Sequence, residues 1–494
     1  MESIREHHIT LVEEFKRHRR SPEESKALLK KFTKVLSQSF DPLSKAIKDD
    51  FNKPQLEFLV AEFGQAISET NHIIANLDTF LKSEGSSSVP ISFASLSYEI
   101  EKIALGTVLI ISPFNYPLIL ALSPLVGAIA AGNNVVLKLP YDQLPSFCNA
   151  LTTILESVFP SNVLQVVNGG VPEAQFVLNE CKFDKIFFTG STNVGKEVYK
   201  AASKNLTPVV LELGGKSPVF ITHNVDLKSI DTLMDRLLWG KFSNAGQTCV
   251  APDYVLIESS VYDKVMKSLI KRFEALLSLD ENSDFSHIVN NRGFERLSNL
   301  LKSTKGTITG GVCDAETLFV SPTIVSNVNW DDPLMTGEIF GPILPVIKYE
   351  GSLLSVLKKV ENEHDCPLAA YLVSSSKEDE LLVRRELRSG ALVINEFLMS
   401  AGCYVLPFGG IGSSGFGNYH GKWTINAFTH ERAILKQPLW AEKLLEMRYY
   451  PYTNDKLKTF KLLLHIPEIP FNTLKTVFVY VTIFLIGWFT SRLM

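Results

Sequence analysis

Hydrophobic positions along the first eighty residues recur with the spacing of amphipathic helices. Ser21, Pro22 and Glu24 mark a helix start, with an N-cap, a proline in the first turn and a capping-box glutamate. Apolar side chains then follow at helical spacing, at Leu28, Leu29, Phe32, Val35 and Leu36. A second periodic stretch runs from about 55 to 81 and leads into the serine-rich connection 83–90. The pattern therefore predicts helices at the start of the chain.

Beyond residue 105, short β-branched runs alternate with helical stretches. The predicted strands are Thr107–Ile111, Val135–Leu139, Val163–Val167, Lys185–Phe188, Val209–Leu211, Val219–Ile221, Tyr254–Ile257, Leu344–Ile347 and Ala391–Ile394. Strands and helices in alternation are typical of α/β proteins with mostly parallel sheets. We therefore expect an α/β fold.

The run at 476–491 differs in kind, because it contains no charged residue. Basic residues flank it, and Tyr480 and Trp488 lie within it, as is common at membrane interfaces. Sixteen residues at about 1.5 Å each span roughly 24 Å, slightly less than a bilayer core of about 30 Å. We predict a tail-anchor helix over 474–491, with the body of the protein facing the cytosol. A buried terminal helix is the alternative.

Composition and charge exclude several classes of protein. The 494 residues are 45% hydrophobic and 21% charged, as in a globular protein of several domains. The formal net charge of −4 gives no reason to expect a nucleic-acid partner. Of the six cysteines, the nearest two, Cys148 and Cys181, are 33 residues apart, which argues against a disulfide framework or a zinc site. The charged N-terminus is unlike a secretory signal.

Two glycine-containing segments resemble nucleotide-binding motifs. Residues 410–415 match the dinucleotide fingerprint, but they follow Pro-Phe-Gly rather than a strand and do not lead into a helix. In 190–197 a predicted strand precedes a turn and a helix whose free N–H groups favour an anion. Glu197, however, replaces the Ser or Thr with which a P-loop binds Mg²⁺. We expect a phosphate-bearing cofactor at this turn, and an ordinary tight turn is the alternative.

Three side chains are suited to catalysis. Cys249 ends the small, polar run FSNAGQTC, whereas the other five cysteines have mixed or apolar neighbours. Glu212 closes a β-branched run, where carboxylates are rare unless they are paired or functional. Asn115 follows the strand at 107–111 and carries an amide able to donate a hydrogen bond. Taken singly, these residues are equally compatible with a buried thiol, a helix N-cap carboxylate and a turn amide.

Taken together, the motifs resemble the aldehyde dehydrogenase superfamily from about residue 60 to about 440. The matching segments are SPFNYP at 112–117, FTGSTNVG at 188–195, LELGGKSP at 211–218, NAGQTC at 244–249, EIFGPI at 338–343 and PFGGIGSSGFGNYHGK at 407–422. Their order and spacing match as well. The short N-terminus, the NYHGK run and the hydrophobic tail are similar to the class 3 branch, and within it to membrane-anchored fatty aldehyde dehydrogenases.

The resemblance implies roles for individual residues. Cys249 is expected to be the nucleophile, Glu212 the general base and Asn115 the oxyanion donor. The residues expected at the cofactor are Lys138, Gly190, Ser191, Thr192, Asn193, Val194, Gly195, Leu213, Glu338 and Phe340. The residues expected around the substrate are Tyr116, Trp239, Thr248, Phe408, Tyr419 and His420. Core packing is the alternative for the aromatic members of that last group.

The implied reaction is the NAD(P)-dependent oxidation of long-chain fatty aldehydes, such as hexadecenal from sphingolipid breakdown, to carboxylic acids. It proceeds through a thiohemiacetal and a thioester on a cysteine and needs no metal. Aromatic or medium-chain aldehydes are the alternative substrates. A P-loop-type nucleotide hydrolase and an inactive membrane scaffold are the distant alternatives. Tyr141 stands where the family usually has a glutamate that binds the adenosine ribose. NAD is therefore the expected cofactor, and NADP stays open.

The resemblance also implies two doubly wound lobes, one Rossmann-like and cofactor-binding and the other catalytic, with a small element that bridges subunits in a homodimer. The expected bounds are 1–87 and 106–213 for the cofactor domain, 214–406 for the catalytic domain, 88–105 and 407–435 for the bridging element, 436–473 for a C-terminal arm and 474–491 for the anchor. The expected membrane is the mitochondrial outer membrane, the endoplasmic reticulum or the lipid droplet surface.

Overall fold

The structure, a computed structural model, describes residues 1–83, 88–89, 96–442, 446–463 and 469–470. The chain divides into two compact units, one formed by Met1–Phe80 and Ala104–Phe428 and the other by Leu81–Ile103 and Thr429–Met494. Within the described ranges, every helix is too short or too polar to cross a bilayer. The predicted anchor lies outside these residues.

The helices of the described residues begin with the N-terminal ones that the periodicity predicts. They are α1 Glu2–Arg17, α2 Pro22–Ser37, α3 Phe40–Phe51, α4 Gln55–Phe58, α5 Gly64–Leu81, α6 Ile119–Ala130, α7 Pro145–Val158, α8 Val171–Glu180, α9 Thr192–Ser203, α10 Ile230–Phe242, α11 Tyr262–Phe273, α12 Asn291–Ser303, α13 Leu353–His364, α14 Lys377–Glu386, α15 Met399–Gly402, α16 Lys422–Ala427 and α17 Asn454–Leu463. The predicted capping box starts α2, because the Ser21 side chain accepts from the Glu24 N–H and the Glu24 carboxylate accepts from the Ser21 N–H.

The strands include all nine predicted from the sequence, with ends shifted by two residues at most. They are β1 Ser88–Val89, β2 Ser97–Ala104, β3 Thr107–Ile111, β4 Asn134–Lys138, β5 Leu164–Val167, β6 Lys185–Thr189, β7 Val209–Glu212, β8 Pro218–Ile221, β9 Tyr254–Glu258, β10 Thr307–Thr309, β11 Cys313–Asp314, β12 Phe319–Val320, β13 Thr323–Ser326, β14 Ile343–Tyr349, β15 Ala369–Val373, β16 Ala391–Ile394, β17 Gly415–Phe416, β18 Thr429–Lys436 and β19 Ile469–Pro470. The predicted α/β fold is confirmed.

The first unit contains two large, mostly parallel sheets. The six-stranded sheet has the order β17-β7-β6-β3-β4-β5, and β17 is its antiparallel edge. The seven-stranded sheet has the order β10-β13-β14-β9-β8-β15-β16, in which β10 alone runs antiparallel to its neighbour. Functional groups in such Rossmann-like sheets gather beyond the carboxyl ends of the strands, and Glu212 is the last residue of β7.

The second unit contains two small sheets. Strand β2 pairs with β18, and Arg432 Nε donates to Glu101 Oε2 at 2.9 Å between them. Strands β1 and β19 form an antiparallel pair. Residues 407–428 belong to the first unit, because β17 adds to the edge of the six-stranded sheet. The expected role of this part of the chain in pairing subunits stays a prediction.

Candidate active site

A compact turn carries Cys249 away from the end of helix α10. The turn spans Ser243–Gly246, and Asn244 (φ 55°) and Ala245 (φ 50°) both adopt the left-handed conformation. Gly246 (φ 70°) follows them, and a Cβ at this position would lie 2.2 Å from the carbonyl oxygen of Gly341. Such backbone is costly for residues other than glycine and persists where the surroundings enforce it. The left-handed backbone of residues 244–246 therefore sets the position of the Cys249 sulfur.

Side-chain amides fasten this turn to the predicted oxyanion donor. Asn115 is 3% exposed, and its Nδ2 donates to the carbonyl oxygen of Gln247 at 2.9 Å. In return, Asn244 Nδ2 donates to the carbonyl oxygen of Asn115 at 2.8 Å. The Gln247 side chain donates to the carbonyl oxygen of His287 at 3.0 Å. The structure thus brings Asn115 to the segment that carries Cys249, as the motifs implied.

Glu212 is a buried carboxyl group without a neutralising partner. It ends β7 opposite Gly415, where a Cβ on the glycine would lie 1.9 Å from the carbonyl oxygen of Leu211. Among the described residues, neither carboxyl oxygen of Glu212 has a hydrogen-bond partner. Burial raises the pKa of Glu212 well above its usual range. A carboxyl group in this state is suited to take and return a proton.

The thiol of Cys249 lies within electrostatic reach of two carboxylates. Burial raises its pKa to about 12, and the negative charges of Glu338 and Glu212 add to the shift. The cysteine retains intermediate solvent exposure. Since both neighbours disfavour a thiolate, the resting sulfur carries its proton near neutral pH. Attack on a carbonyl therefore requires that this proton be removed.

A buried ion pair underlies the turn that holds Asn115. Lys53 and Glu62 are both fully buried, with Nζ 2.5 Å from Oε1. Lys53 Nζ also donates to the carbonyl oxygen of Asn115 at 3.3 Å and lies 4.1 Å from the centroid of the Tyr116 ring. Glu62 Oε2 accepts from the Leu118 N–H at 2.8 Å. The sequence did not predict this pair. In the structure, Glu62 lies in a single π-helical turn, Leu59–Phe63, a feature frequent at functional sites.

A second buried ion pair positions the loop that carries Glu338. Lys216 Nζ lies 2.6 Å from Asp253 Oδ2 and donates to the carbonyl oxygen of Gly337 at 3.0 Å. Asp253 Oδ1 accepts from the Ile339 N–H at 3.0 Å. The loop is thus held on both sides of Glu338. Lys216 lies within the LELGGKSP motif, but neither it nor Asp253 was predicted to have a role.

Glu338 presents a buried acceptor. Among the described residues, its Oε1 has no hydrogen-bond partner, while a Cβ on Gly214 would lie 2.2 Å from its Oε2. Burial, together with the charge of Asp253, raises the pKa of Glu338 to about 8. Phe340 follows in the left-handed conformation (φ 46°), and its ring centroid lies 6.0 Å from that of Phe114. An unsatisfied carboxylate of this kind is suited to a sugar hydroxyl.

The predicted phosphate-binding turn joins β6 to α9. Ser191 caps the helix by accepting from the Val194 N–H, and Ser191 and Asn193 are exposed to solvent while Thr192 is partly so. A Cβ on Gly195 would lie 2.6 Å from Leu213 Cδ2, so the glycine allows the helix to pack closely against this side chain. The remaining residues at this turn, Gly190 and Val194, are partly exposed and exposed. A helix N-terminus that faces solvent and backbone that approaches closely both fit the diphosphate of a dinucleotide.

Lys138 is the last residue of β4, and its side-chain amine is already engaged. Its Nζ donates to the carbonyl oxygens of Leu139 and Gly169, each at 2.6 Å. Burial lowers its pKa, whereas the charge of Asp142 opposes that shift. One proton of the ammonium group is left for a ligand, since lysine has three donors.

Three of the predicted substrate residues form one buried aromatic cluster. Phe408 pairs with Tyr419 through a backbone bridge, and their ring centroids are 5.6 Å apart. The His420 ring lies 4.4 Å from Tyr419 and 5.5 Å from Phe408. Burial raises the pKa of Tyr419 well above its usual range, and the charges of Glu212 and Cys249 add to the shift. The cluster therefore adjoins the catalytic groups, although its packing is that of a core.

Trp239 lies elsewhere, in the wall of a cavity of about 510 Å³. The cavity is lined by Glu57, Leu238, Trp239, Phe242 and Ser243, together with Asp235, Lys271, Arg272, Ala275 and Leu276. Ser243, one of the lining residues, is the first residue of the turn that leads to Cys249.

The hydroxyl oxygens of Tyr116 and Thr248 are 2.8 Å apart, and Thr248 precedes Cys249 in the chain. Glu57 on the cavity wall also raises the pKa of Tyr116, after burial, which places its charge close to that ring.

Comparisons with known proteins agree with this geometry. A sequence model described as the aldehyde dehydrogenase family matches residues 12–434. The chain is 40% identical over 442 residues to a fatty aldehyde dehydrogenase of Saccharomyces cerevisiae, covering 87% of this chain and 82% of the yeast protein. It is 36% identical over 429 residues to a dimeric NADP-preferring aldehyde dehydrogenase of Mus musculus, covering 86% and 92%.

A solved structure of the substrate-bound state of Staphylococcus aureus AldH superposes with a TM-score of 0.88 at 35% identity, over 93% of this chain and 99% of that one. The chain therefore belongs to the aldehyde dehydrogenase family, oxidoreductases that act on aldehydes with NAD or NADP. Within the family it falls in the class 3 branch, among relatives that include fatty aldehyde dehydrogenases.

Proposed function

We propose that this protein oxidises long-chain fatty aldehydes to carboxylic acids, with Cys249 as nucleophile, Glu212 as general base and Asn115 as oxyanion donor. The observation that carries the assignment is the buried carboxyl group of Glu212, which has no hydrogen-bond partner among the described residues and whose charge acts on the Cys249 thiol. A structural carboxylate in such a place would be paired.

The first step is attack of the Cys249 sulfur on the aldehyde carbon, after the thiol proton has passed to solvent water. The carbonyl oxygen becomes an oxyanion, which the Asn115 amide and the Cys249 N–H would stabilise, at about 3–4 kcal/mol for each donor. An amide group has two N–H donors, and the structure records one of them in use, toward Gln247. The other is free to serve the substrate.

When bound, NAD or NADP supplies the oxidation by accepting a hydride from the substrate carbon. The turn from Gly190 to Gly195 would hold the diphosphate, Leu213 and Phe340 would border the rings, and the free Oε1 of Glu338 would accept from a ribose hydroxyl. We propose NAD as the physiological cofactor. Asp142 supports this choice, because its negative charge beside Lys138 disfavours a 2′-phosphate.

The second step is hydrolysis of the thioester on Cys249. Glu212 removes a proton from water, the resulting hydroxide attacks the acyl carbon, and the Cys249 sulfur leaves. The carboxylic acid is released and the thiol recovers its proton. Burial raises the pKa of Glu212 well above its usual range, so its carboxylate is a stronger base than that of an exposed glutamate and is suited to this exchange.

The cavity beside Trp239 supports an extended apolar substrate. Its volume lies in the range of about 300–1,000 Å³ common for small-molecule sites. Leu238, Trp239 and Phe242 supply an apolar wall that favours an acyl chain. We further propose a homodimer held to a membrane by residues 474–491, with its catalytic body facing the cytosol. The membrane would be the mitochondrial outer membrane, the endoplasmic reticulum or the lipid droplet surface.

The test is steady-state oxidation of hexadecenal and benzaldehyde, each with NAD and with NADP. We expect hexadecenal with NAD to give the highest kcat/KM, and Cys249→Ser to lose nearly all activity with every pair. Equal kcat/KM for the two aldehydes would replace the fatty-aldehyde assignment with the aromatic or medium-chain alternative. Full activity of Cys249→Ser would overturn the mechanism.

A further inference from the structure

The cavity beside Trp239 contains one carboxyl group whose charge is not balanced. Glu57 lines the cavity, and the carboxyl accepts from the backbone N–H of Asn244. Its Oε1 is buried and has no hydrogen-bond partner among the described residues. Unpartnered buried oxygens are uncommon and carry a desolvation penalty, so this position calls for a functional reason.

The neighbouring charges leave Glu57 largely uncompensated. Lys53 lowers the pKa of Glu57, but its ammonium group is committed to Glu62 at 2.5 Å. Glu62 and Asp284 act in the opposite direction, and burial, the largest influence, raises the pKa of Glu57. The Tyr116 hydroxyl bonds Thr248 at 2.8 Å. Because the charge of Lys53 is shared with Glu62, the electrostatic potential around Glu57 is negative once Glu57 has lost its proton.

A second carboxylate at the cavity provides a contrast. Asp235 is held by Arg272 through two hydrogen bonds, at 2.6 and 2.7 Å. That pair is exposed and close to neutral as a unit, so it has little influence on an approaching ligand. Lys271 also lines the cavity, but its Nζ lies 3.7 Å from Asp231 Oδ2 and both side chains are exposed, so its charge is screened. Glu57 is therefore the lining carboxyl group with a buried oxygen that no lining cation holds.

We propose that Glu57 is a specificity-determining residue that excludes aldehydes bearing a carboxylate and thereby reserves the site for uncharged chains. The inference rests on the proposed function, because it takes the cavity to be the path of the aldehyde to Cys249. A carboxylate on the substrate would lie close to the carboxylate of Glu57 in a poorly hydrated part of the cavity, and the repulsion between the two charges would weaken binding. The exclusion strengthens as the pH rises and Glu57 ionises.

The experiment compares hexanal with 6-oxohexanoate, which share a six-carbon chain and differ by one carboxylate. The readout is the ratio of their kcat/KM values, in which the shared ionisation of Cys249 cancels. For Glu57→Gln we expect the use of 6-oxohexanoate relative to hexanal to rise on the order of tenfold at pH 8.5. The matched control is Glu274→Gln, which removes an exposed charge next to the cavity and leaves the ratio within about twofold of the wild type.

The wild-type ratio provides a measurement that does not depend on how the variant folds. We expect discrimination against 6-oxohexanoate to grow between pH 6 and 9. A ratio that is constant over this range, or one that Glu57→Gln leaves unchanged, overturns the role of Glu57 while the oxidation of hexanal stands. If the wild type oxidises neither aldehyde nor hexadecenal, the proposed function fails and the role of Glu57 fails with it.

Discussion

Lys53 and Glu62 form an ion pair with no solvent exposure, and the lysine also donates a hydrogen bond to the carbonyl oxygen of Asn115. A buried pair adds little net stability when intact, but removing one partner leaves an isolated charge in a medium that solvates it poorly. The pair therefore couples the stability of the fold to the position of Asn115, the proposed oxyanion donor.

The first prediction concerns this pair. Lys53→Met strands the Glu62 charge and is expected to destabilise the protein by about 3–5 kcal/mol. Chemical denaturation followed by fluorescence measures the loss. The control is Lys53→Met combined with Glu62→Gln, which removes both charges and keeps an acceptor for the Leu118 N–H. If the double variant is no more stable than the single one, the stranded charge is not the cause.

The second prediction separates the two chemical steps. Glu212→Gln removes the proposed base for thioester hydrolysis, so kcat should fall by about 10²–10⁴-fold. Because hydride transfer precedes that step, rapid mixing should still produce reduced cofactor equal to the enzyme present. Loss of this burst would show that Glu212 is needed before the thioester forms.

The third prediction concerns stability and pH. The folded-state pKa of Glu212 lies above the unfolded value of 4.5, so folding is favoured by protonation and loses that advantage as the pH rises through the folded value. Glu212→Gln escapes this loss. At pH 8.5 the free energy of unfolding of Glu212→Gln should exceed that of the wild type by about 0.5–2 kcal/mol, which is measured as a higher melting temperature. The difference should shrink toward zero near pH 4.5, and a difference independent of pH would contradict the assignment.

The fourth prediction concerns the reactivity of Cys249. With a pKa of about 12, its thiolate fraction rises about tenfold per pH unit between pH 7 and 10. Alkylation by iodoacetamide, located by mass spectrometry, should follow the same slope in enzyme free of cofactor. Glu338→Gln removes a negative neighbour and should speed the reaction at pH 9. A rate of alkylation that stops rising below pH 8 would mean that a neighbouring group stabilises the thiolate, and would contradict the raised pKa of Cys249.

Much of the fold follows from local pattern. Ala391–Ile394 was predicted with its observed bounds, and Val135–Leu139 differs from Asn134–Lys138 by one residue at each end. Asn134–Lys138 is readable because a strand buried on both faces leaves a continuous apolar stretch. Ala391–Ile394 is an edge strand of intermediate burial, and its β-branched Val393 and Ile394 indicate it. The site was harder to predict, since the sequence surroundings of Cys249, Glu212 and Asn115 mark them only as candidates, and the family resemblance is what implies their roles.

The missing elements were those that depend on distant partners. Lys216 and Asp253 are 37 residues apart along the chain, yet their side chains meet at 2.6 Å in the interior. Each is a single charged residue in its stretch of sequence, and a local pattern does not indicate which opposite charge it pairs with. Glu57 was missed for the same reason, because its significance comes from a cavity formed by α10 and α11.

The turn that presents Cys249 is assembled from remote parts of the chain. Asn244 bonds Asn115, and Gly246 rests against the carbonyl oxygen of Gly341. During synthesis on the ribosome, the cysteine emerges well before residue 341 is available to support it. A nascent polypeptide therefore carries an ordinary, poorly placed sulfur, and the proposed reaction with aldehydes requires that the tertiary structure has first formed around it.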